Sequence, residues 1–174
     1  PDIRPIAGGT NLIPDMRAGT HQPEALVNVE GLSALAGVRQ ENGHVVMGSG
    51  TTIAEVLMND LLGERAGVLQ ESARVFANPL VRNRATVGGN LGNASPAADM
   101  APPLLVLDSE VEVSTDQGSR WVPLSDFFVH VCDTVCEPVE LITALRWPLR
   151  SGDTVGHFRK IALRKSTAIS VVSA

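Results

Sequence analysis

The chain has 174 residues, a formal net charge of -5, 44% apolar and 19% charged side chains. That length supports one substantial core or two small lobes sharing an interface, and an acidic balance with scattered basic residues leaves no footprint for nucleic acid. No apolar run reaches the roughly 18 residues that a membrane-crossing helix needs, and no basic-then-apolar leader opens the sequence, so the cytoplasm is the default expectation.

The pattern predicts a strand over Ile3 to Ala7, then a short helix capped by Thr10 or Asn11 and ending at Gly19. Leu26 to Val29 and Val45 to Met47 read as further strands. Thr52-Ile53-Ala54-Glu55 is a capping box, and Ile53, Val56, Leu57 and Leu61 follow at helical spacing, so a helix is expected over 53–62. A second is expected over 64–77, with Ala66, Leu69, Ala73 and Phe76 on one face and Asn78-Pro79 as its stop. A short helix over 98–106 and a hairpin of Glu110–Ser114 with Arg120–Pro123 come next. A helical turn follows at 124–128. Leu141 to Trp147 and Val155 to Leu163 read as antiparallel strands. An α/β half thus precedes a mainly antiparallel half, with domain limits of 1–80 and 81–174.

Two glycine pairs carry the most information, Ala7-Gly8-Gly9-Thr10-Asn11-Leu12 and Thr86-Val87-Gly88-Gly89-Asn90. Such pairs are commonly turns, but they also let backbone approach an anion closely and aim N–H groups at it. The second pair runs into Leu91-Gly92-Asn93-Ala94-Ser95-Pro96-Ala97-Ala98-Asp99, a tract of small and hydrogen-bonding residues that a plain hairpin turn does not need. Two such loops converging would suit a diphosphate.

These motifs, with Arg82-Asn83-Arg84-Ala85 before the second pair, Leu26-Val27-Asn28-Val29, Gly50-Thr51-Thr52-Ile53-Ala54-Glu55-Val56, Glu140-Leu141-Ile142, and Phe158 with Lys160 and Arg164, resemble the FAD-binding subunit of the molybdenum hydroxylases. The resemblance implies an α+β, two-lobed FAD-binding fold of the PCMH type, a small α/β lobe followed by a mainly antiparallel β lobe. It implies that Ala7, Gly8, Gly9, Thr10, Asn11, Leu12, Thr86, Gly88, Gly89 and Asn90 surround the FAD diphosphate. Asn93, Ser95 and Asp99 would hydrogen-bond ribityl or ribose hydroxyls, Leu141 and Ile142 would lie near a cofactor ring, and Lys160 would stand near the isoalloxazine and favour its reduced, anionic form. Asp99 as a helix N-terminal charge and Lys160 as a solvated strand lysine are the plainer alternatives. The implied function is electron relay. Substrate would react at a molybdopterin centre on a large subunit, a small subunit with [2Fe–2S] clusters would carry the electrons, and the flavin would pass them to NAD, oxygen or another acceptor. A cofactor-free scaffold that docks partner subunits is the second hypothesis.

Competing chemistries are weaker. Gly48-Ser49-Gly50-Thr51-Thr52-Ile53 imitates a Rossmann fingerprint, but Ile53 occupies the position where a small residue should allow helix–strand contact. His21, His44, His130 and His157 lack metal-ligand spacing, and Ser95 lies outside any nucleophile elbow. Cys132 and Cys136 fit neither a zinc pair nor a Cys-x-x-Cys and read as reduced thiols. The chain starts without methionine and stops on the apolar Ile169-Ser170-Val171-Val172-Ser173-Ala174, which reads as a piece of a longer polypeptide.

Overall fold

A computed structural model describes residues 1–150, 155–164 and 168–174. It opens with strand β1 (Ile3–Ile6), helix α1 (Leu12–Ala18) and strand β2 (Ala25–Asn28). β1 and β2 pair in parallel, Ile3 opposite Ala25 through Ile6 opposite Asn28, as a helical crossover between adjacent strands demands. α1 ends where expected, because Gly19 adopts the left-handed conformation at φ 76° and its N–H returns to the Asp15 and Met16 carbonyls.

A 3-10 turn at Ser33–Leu35 leads into β3 (Val38–Glu41) and β4 (His44–Gly48). β3 was not foreseen, yet its signal is present: Asn42-Gly43 takes positive φ at both residues, 49° and 77°, the turn that suits a twisted two-stranded hairpin. The helix expected over 53–62 is two helices, α2 (Ile53–Met58) and α3 (Asp60–Arg65). Asn59 separates them, extended at ψ 118°, with its side-chain oxygen accepting the Leu62 N–H at 3.0 Å. Gln70 Nε2 donates to the Val56 and Asn59 carbonyls at 3.3 and 2.9 Å, which satisfies backbone acceptors that the break exposes. The helix expected over 64–77 likewise starts later, since Ala66 leaves helical geometry at φ -154° before α4 (Gly67–Val75). These bends turn Ile53, Val56, Leu62, Leu69 and Ala73, all fully buried, into one core.

Asn78 caps α5 (Pro79–Arg82), and Thr86 caps α6 (Val87–Gly92), a helix that the glycine content concealed. α7 (Ala101–Val106) begins after the expected Ala98, with a proline in its first turn. β5 (Glu110–Thr115) and β6 (Gly118–Pro123) form the expected hairpin, followed by α8 (Leu124–Phe127) and the short strands β7 (Phe128–His130) and β8 (Asp133–Thr134). β9 (Leu141–Pro148) lies as expected. The strand expected over 155–163 shortens to β10 (Lys160–Ala162), which pairs with β11 (Ser170–Ser173) and not with β9. Residues 151–154, between β9 and β10 in sequence, lie outside the described residues.

One antiparallel sheet of order β3-β4-β9-β5-β6 organises the larger lobe and draws strands from both sides of residue 80. Its inward face sets Val45 opposite Trp147, Met47 opposite Leu145 and Leu145 opposite Val111, all buried against the helices. The other face is polar: Arg146 bonds Glu110 at 2.7 Å and covers the Trp121 ring at 4.0 Å. The architecture is α+β and two-lobed, a small β1–α1–β2 unit beside the sheet and its helices. Among the described residues no helix is long and apolar enough to cross a membrane.

Candidate functional site

The second glycine motif is fastened to the segment after β4 by backbone bonds. Ile53 N–H donates to Ala85 O at 2.9 Å, Val87 N–H to Thr51 O at 3.0 Å and Gly88 N–H to Ser49 O at 2.8 Å. Any side chain at Gly88 would meet Ser49 Cβ at 2.6 Å, so the glycine permits this approach of backbone to backbone. Thr86 Oγ1 then accepts the Gly89 N–H at 3.0 Å, and Asn90 N–H donates to Thr86 O at 2.9 Å. The amides of Gly88, Gly89 and Asn90 are therefore committed inside the protein. Of the two glycine pairs expected to aim N–H groups at an anion, the second therefore has none to spare, because a capped helix start has consumed its donors.

The first motif behaves differently. The N–H groups of Gly8, Gly9, Thr10 and Asn11 donate no hydrogen bond among the described residues, and Asn11 makes no side-chain cap. Gly9 sits at φ 66° and hands its carbonyl to Ile13 N–H at 3.1 Å, so the turn is held while its amides stay unspent. Gly8 lies directly on the second motif: a β-carbon there would run into the Arg84 carbonyl and come within 3.1 Å of Ala85 N. An Arg84–Glu30 ion pair at 2.8 Å adds a second tie between the small lobe and this loop. The distant glycine corners therefore converge, and a row of free amides borders their contact. Such a donor set fits an anion.

Beyond α6 the small-residue tract is shaped by its own bonds. Ala94 takes φ 45°, Ser95 Oγ accepts the Ala97 N–H at 3.2 Å, and Asn90 Oδ1 accepts the Met100 N–H at 3.2 Å. Asn90 thus holds the tract to α6, a structural duty. Asn93 is half-buried, with no bond to its side chain among the described residues. Asp99 and Lys160, expected separately at the cofactor, form a buried pair: Nζ to Oδ2 is 2.6 Å, with side chains 7% and 8% exposed. Asp99 Oδ1 has no partner. Burial raises the Asp99 carboxyl above its ordinary value even though the Lys160 hydrogen bond and charge pull it down. An orphaned buried carboxylate oxygen beside an ammonium is an unfilled acceptor of the kind that a polyol hydroxyl completes.

β9 reaches the same region through an irregularity. Glu112 faces Ala144 but Val113 faces Ile142, leaving Thr143 as an extra residue. Thr143 turns its hydroxyl to Glu112 at 2.7 Å and Ser114 at 2.9 Å, and its carbonyl accepts Ser49 N–H at 3.0 Å. The parity change brings Ile142 against the core, and its Cδ1 lies 3.3 Å from where a side chain at Gly92 would stand. Leu141, one residue earlier, is half-buried opposite Ser114. Leu12, the first residue of α1, and Ala7, before the first glycine pair, are half-buried too.

Several participants had no local signal. Ser49 and Thr51 supply carbonyls to the second motif, and Ser72 on α4 donates its hydroxyl to Asp99 O at 2.6 Å. The Gly48–Gly50 imitation of a fingerprint packs on the 3-10 turn, Gly50 N–H donating to Leu35 O at 2.7 Å. Cys132 and Cys136 are free thiols, and burial raises the Cys136 pKa. Among the described residues no group of three or more His, Cys, Asp or Glu side chains could hold a metal.

Comparison with known proteins gives this geometry a family. A profile described as "FAD binding domain in molybdopterin dehydrogenase" matches residues 1–150. The carbon monoxide dehydrogenase medium chain of Afipia carboxidovorans is 35% identical over 148 residues, 85% of this chain and 51% of that protein. The xanthine dehydrogenase FAD-binding subunit of Escherichia coli O157:H7 is 30% identical over 175 residues, 99% of this chain and 60% of that protein. A crystal structure of Cu,Mo-CO dehydrogenase superposes with a TM-score of 0.95 at 32% identity, covering 99% of this chain and 60% of that one. The chain thus spans between half and two thirds of these relatives' lengths. The free amides at Gly8 to Asn11, the approach of Gly8 to Arg84 and the orphaned Asp99 oxygen all suit a diphosphate dinucleotide, and the chain belongs to the family of FAD-binding domains of molybdopterin dehydrogenases, with FAD as its cofactor.

Proposed function

We propose that this chain carries FAD for the electron-transfer subunit of a molybdopterin-dependent dehydrogenase or hydroxylase, taking electrons from iron–sulfur clusters on a small subunit and passing them to NAD, oxygen or another acceptor. A molybdopterin-containing large subunit would complete the assembly, in the cytoplasm. FAD when bound supplies the redox chemistry, exchanging electrons singly or in pairs. The protein's residues bind, orient and tune. The amides of Gly8, Gly9, Thr10 and Asn11 would hold the diphosphate, while Ala7 and Leu12 flank the turn. Thr86, Gly88, Gly89 and Asn90 would form the wall beside it, with Gly89 exposed and open to close approach. Asn93, Ser95 and the free Asp99 oxygen would meet sugar or ribityl hydroxyls. Leu141 and Ile142 would offer apolar surface to a ring, and Lys160 a positive charge.

The observation that carries this reading is the row of unspent amides at the point where the two motifs meet. Its test is FAD binding by the protein at full length, followed by assembly with its partner subunits and addition of the reducing substrate. Stoichiometric flavin that bleaches on reduction through the partners supports the relay. Flavin that stays oxidised while the partners are reduced refutes it, and a colourless protein that cannot be reconstituted points to the scaffold.

A further inference from the structure

The helix α4 contains no residue of either glycine motif, yet it holds both halves of the buried Asp99–Lys160 pair. Ser72, fully buried, donates its hydroxyl to the Asp99 carbonyl at 2.6 Å and lies 3.7 Å from Met100 Sδ. Its neighbour Glu71 accepts the Phe158 N–H at 2.7 Å, and its second oxygen is 3.3 Å from His157 Nδ1. Phe158 is itself 5% exposed, and one turn earlier on α4 Val68 fills the space beside Gly156, its Cβ 3.1 Å from where a side chain there would start. Consecutive side chains therefore fasten two segments far apart in sequence, one through Asp99's own backbone and one two residues before Lys160. A helix is a rigid ruler at 1.5 Å per residue, so this arrangement sets the distance between the segments.

We infer that Glu71 and Ser72 are positioning residues, which clamp the Asp99 and Lys160 segments in register so that the pair presents a fixed carboxylate oxygen and ammonium to the bound flavin nucleotide. The inference rests on the FAD reading for its purpose but not for its geometry. Neither residue touches the cofactor in this account. Each acts through the pair. The short bonds matter because a buried carboxylate and ammonium hold together only in good geometry, and a small displacement leaves both charges unsatisfied.

The test uses the full-length protein with Ser72→Ala and Glu71→Ala, and Glu71→Gln as the milder variant. Acylation of Lys160 by acetic anhydride, mapped by mass spectrometry, reads the pair without any cofactor. Loosening the clamp should speed it about fivefold or more in both alanine variants, as local opening exposes the amine. FAD affinity by fluorescence quenching should fall about five- to tenfold for Ser72→Ala, the scale of one lost hydrogen bond. The flavin midpoint potential should shift in the same variant. In an Asp99→Ala background the same substitution should change affinity less than about twofold, because its route has been removed. Unchanged Lys160 acylation overturns the clamp, and so does an affinity loss that is simply additive with Asp99→Ala. If the wild-type protein binds no FAD, the flavin reading fails while acylation still decides the clamp.

Discussion

At the residue scale, two neighbouring uses of glycine separate folding from binding. Gly8 lies against the Arg84 carbonyl, so Gly8→Ala should force the lobes apart and cost about 1–3 kcal/mol, seen as a lowered midpoint in urea unfolding, together with lost FAD affinity. Gly89 is exposed, and the one atom that a side chain there would crowd is its own cap, Thr86 Oγ1, at 2.8 Å. Alanine also favours the helix, so Gly89→Ala should leave stability within about 1 kcal/mol of wild type while weakening FAD binding at least about tenfold. Equal FAD affinity in that variant, measured by fluorescence quenching, would remove Gly89 from the cofactor wall. The motif sequences alone made both glycines look equivalent. Their neighbours, the Arg84 backbone for one and only the Thr86 hydroxyl for the other, are what distinguish them.

At the element scale, the breaks between helices are as informative as the helices. Asn59 ends α2 and caps α3 in a stretch whose apolar spacing reads as one helix, because 3.6-residue periodicity does not register a single extended residue. Asn59→Ala should cost about 1 kcal/mol by chemical denaturation, the usual worth of a cap. Glu71 ties α4 to the 155–160 segment, and the Phe158 N–H, followed by His157 and Arg159, keeps its carboxyl below the ordinary value of 4.5. Glu140 is lowered too, by Arg120 and then the Glu137 N–H. A depressed carboxylate binds its proton more weakly folded than unfolded, so its contribution is complete above about pH 4.5 and drains away as pH falls through the lower folded value. Urea midpoints between pH 7 and pH 3 should thus fall less steeply for Glu71→Gln than for wild type.

Over the whole molecule, the Asp99–Lys160 pair joins the small-residue tract to β10 across 61 residues of the 174-residue chain. Lys160→Met should cost about 3–5 kcal/mol at pH 7, since it strands a carboxylate already 8% exposed. Asp99 is raised by burial, so the folded variant pays its penalty only when that group is ionised. The loss should therefore shrink as the pH falls toward the ordinary aspartate value of 3.8, the opposite sense to Glu71. Thermal unfolding of the variant against pH checks this directly; a loss that grows on acidification would contradict the pairing.

Local chemistry in the sequence was enough for the caps at Thr52, the stop at Gly19, the β5–β6 hairpin and the two glycine corners, because each depends on residues within a few positions of one another. Only the tertiary structure decided which amides remain free, that Gly8 rests on Arg84, that a Thr143 bulge turns Ile142 inward, and that α4 fastens both ends of one ion pair. Those outcomes depend on partners tens of residues apart, and a hydrogen-bond donor's availability is a property of what lies against it in space, which no local pattern encodes.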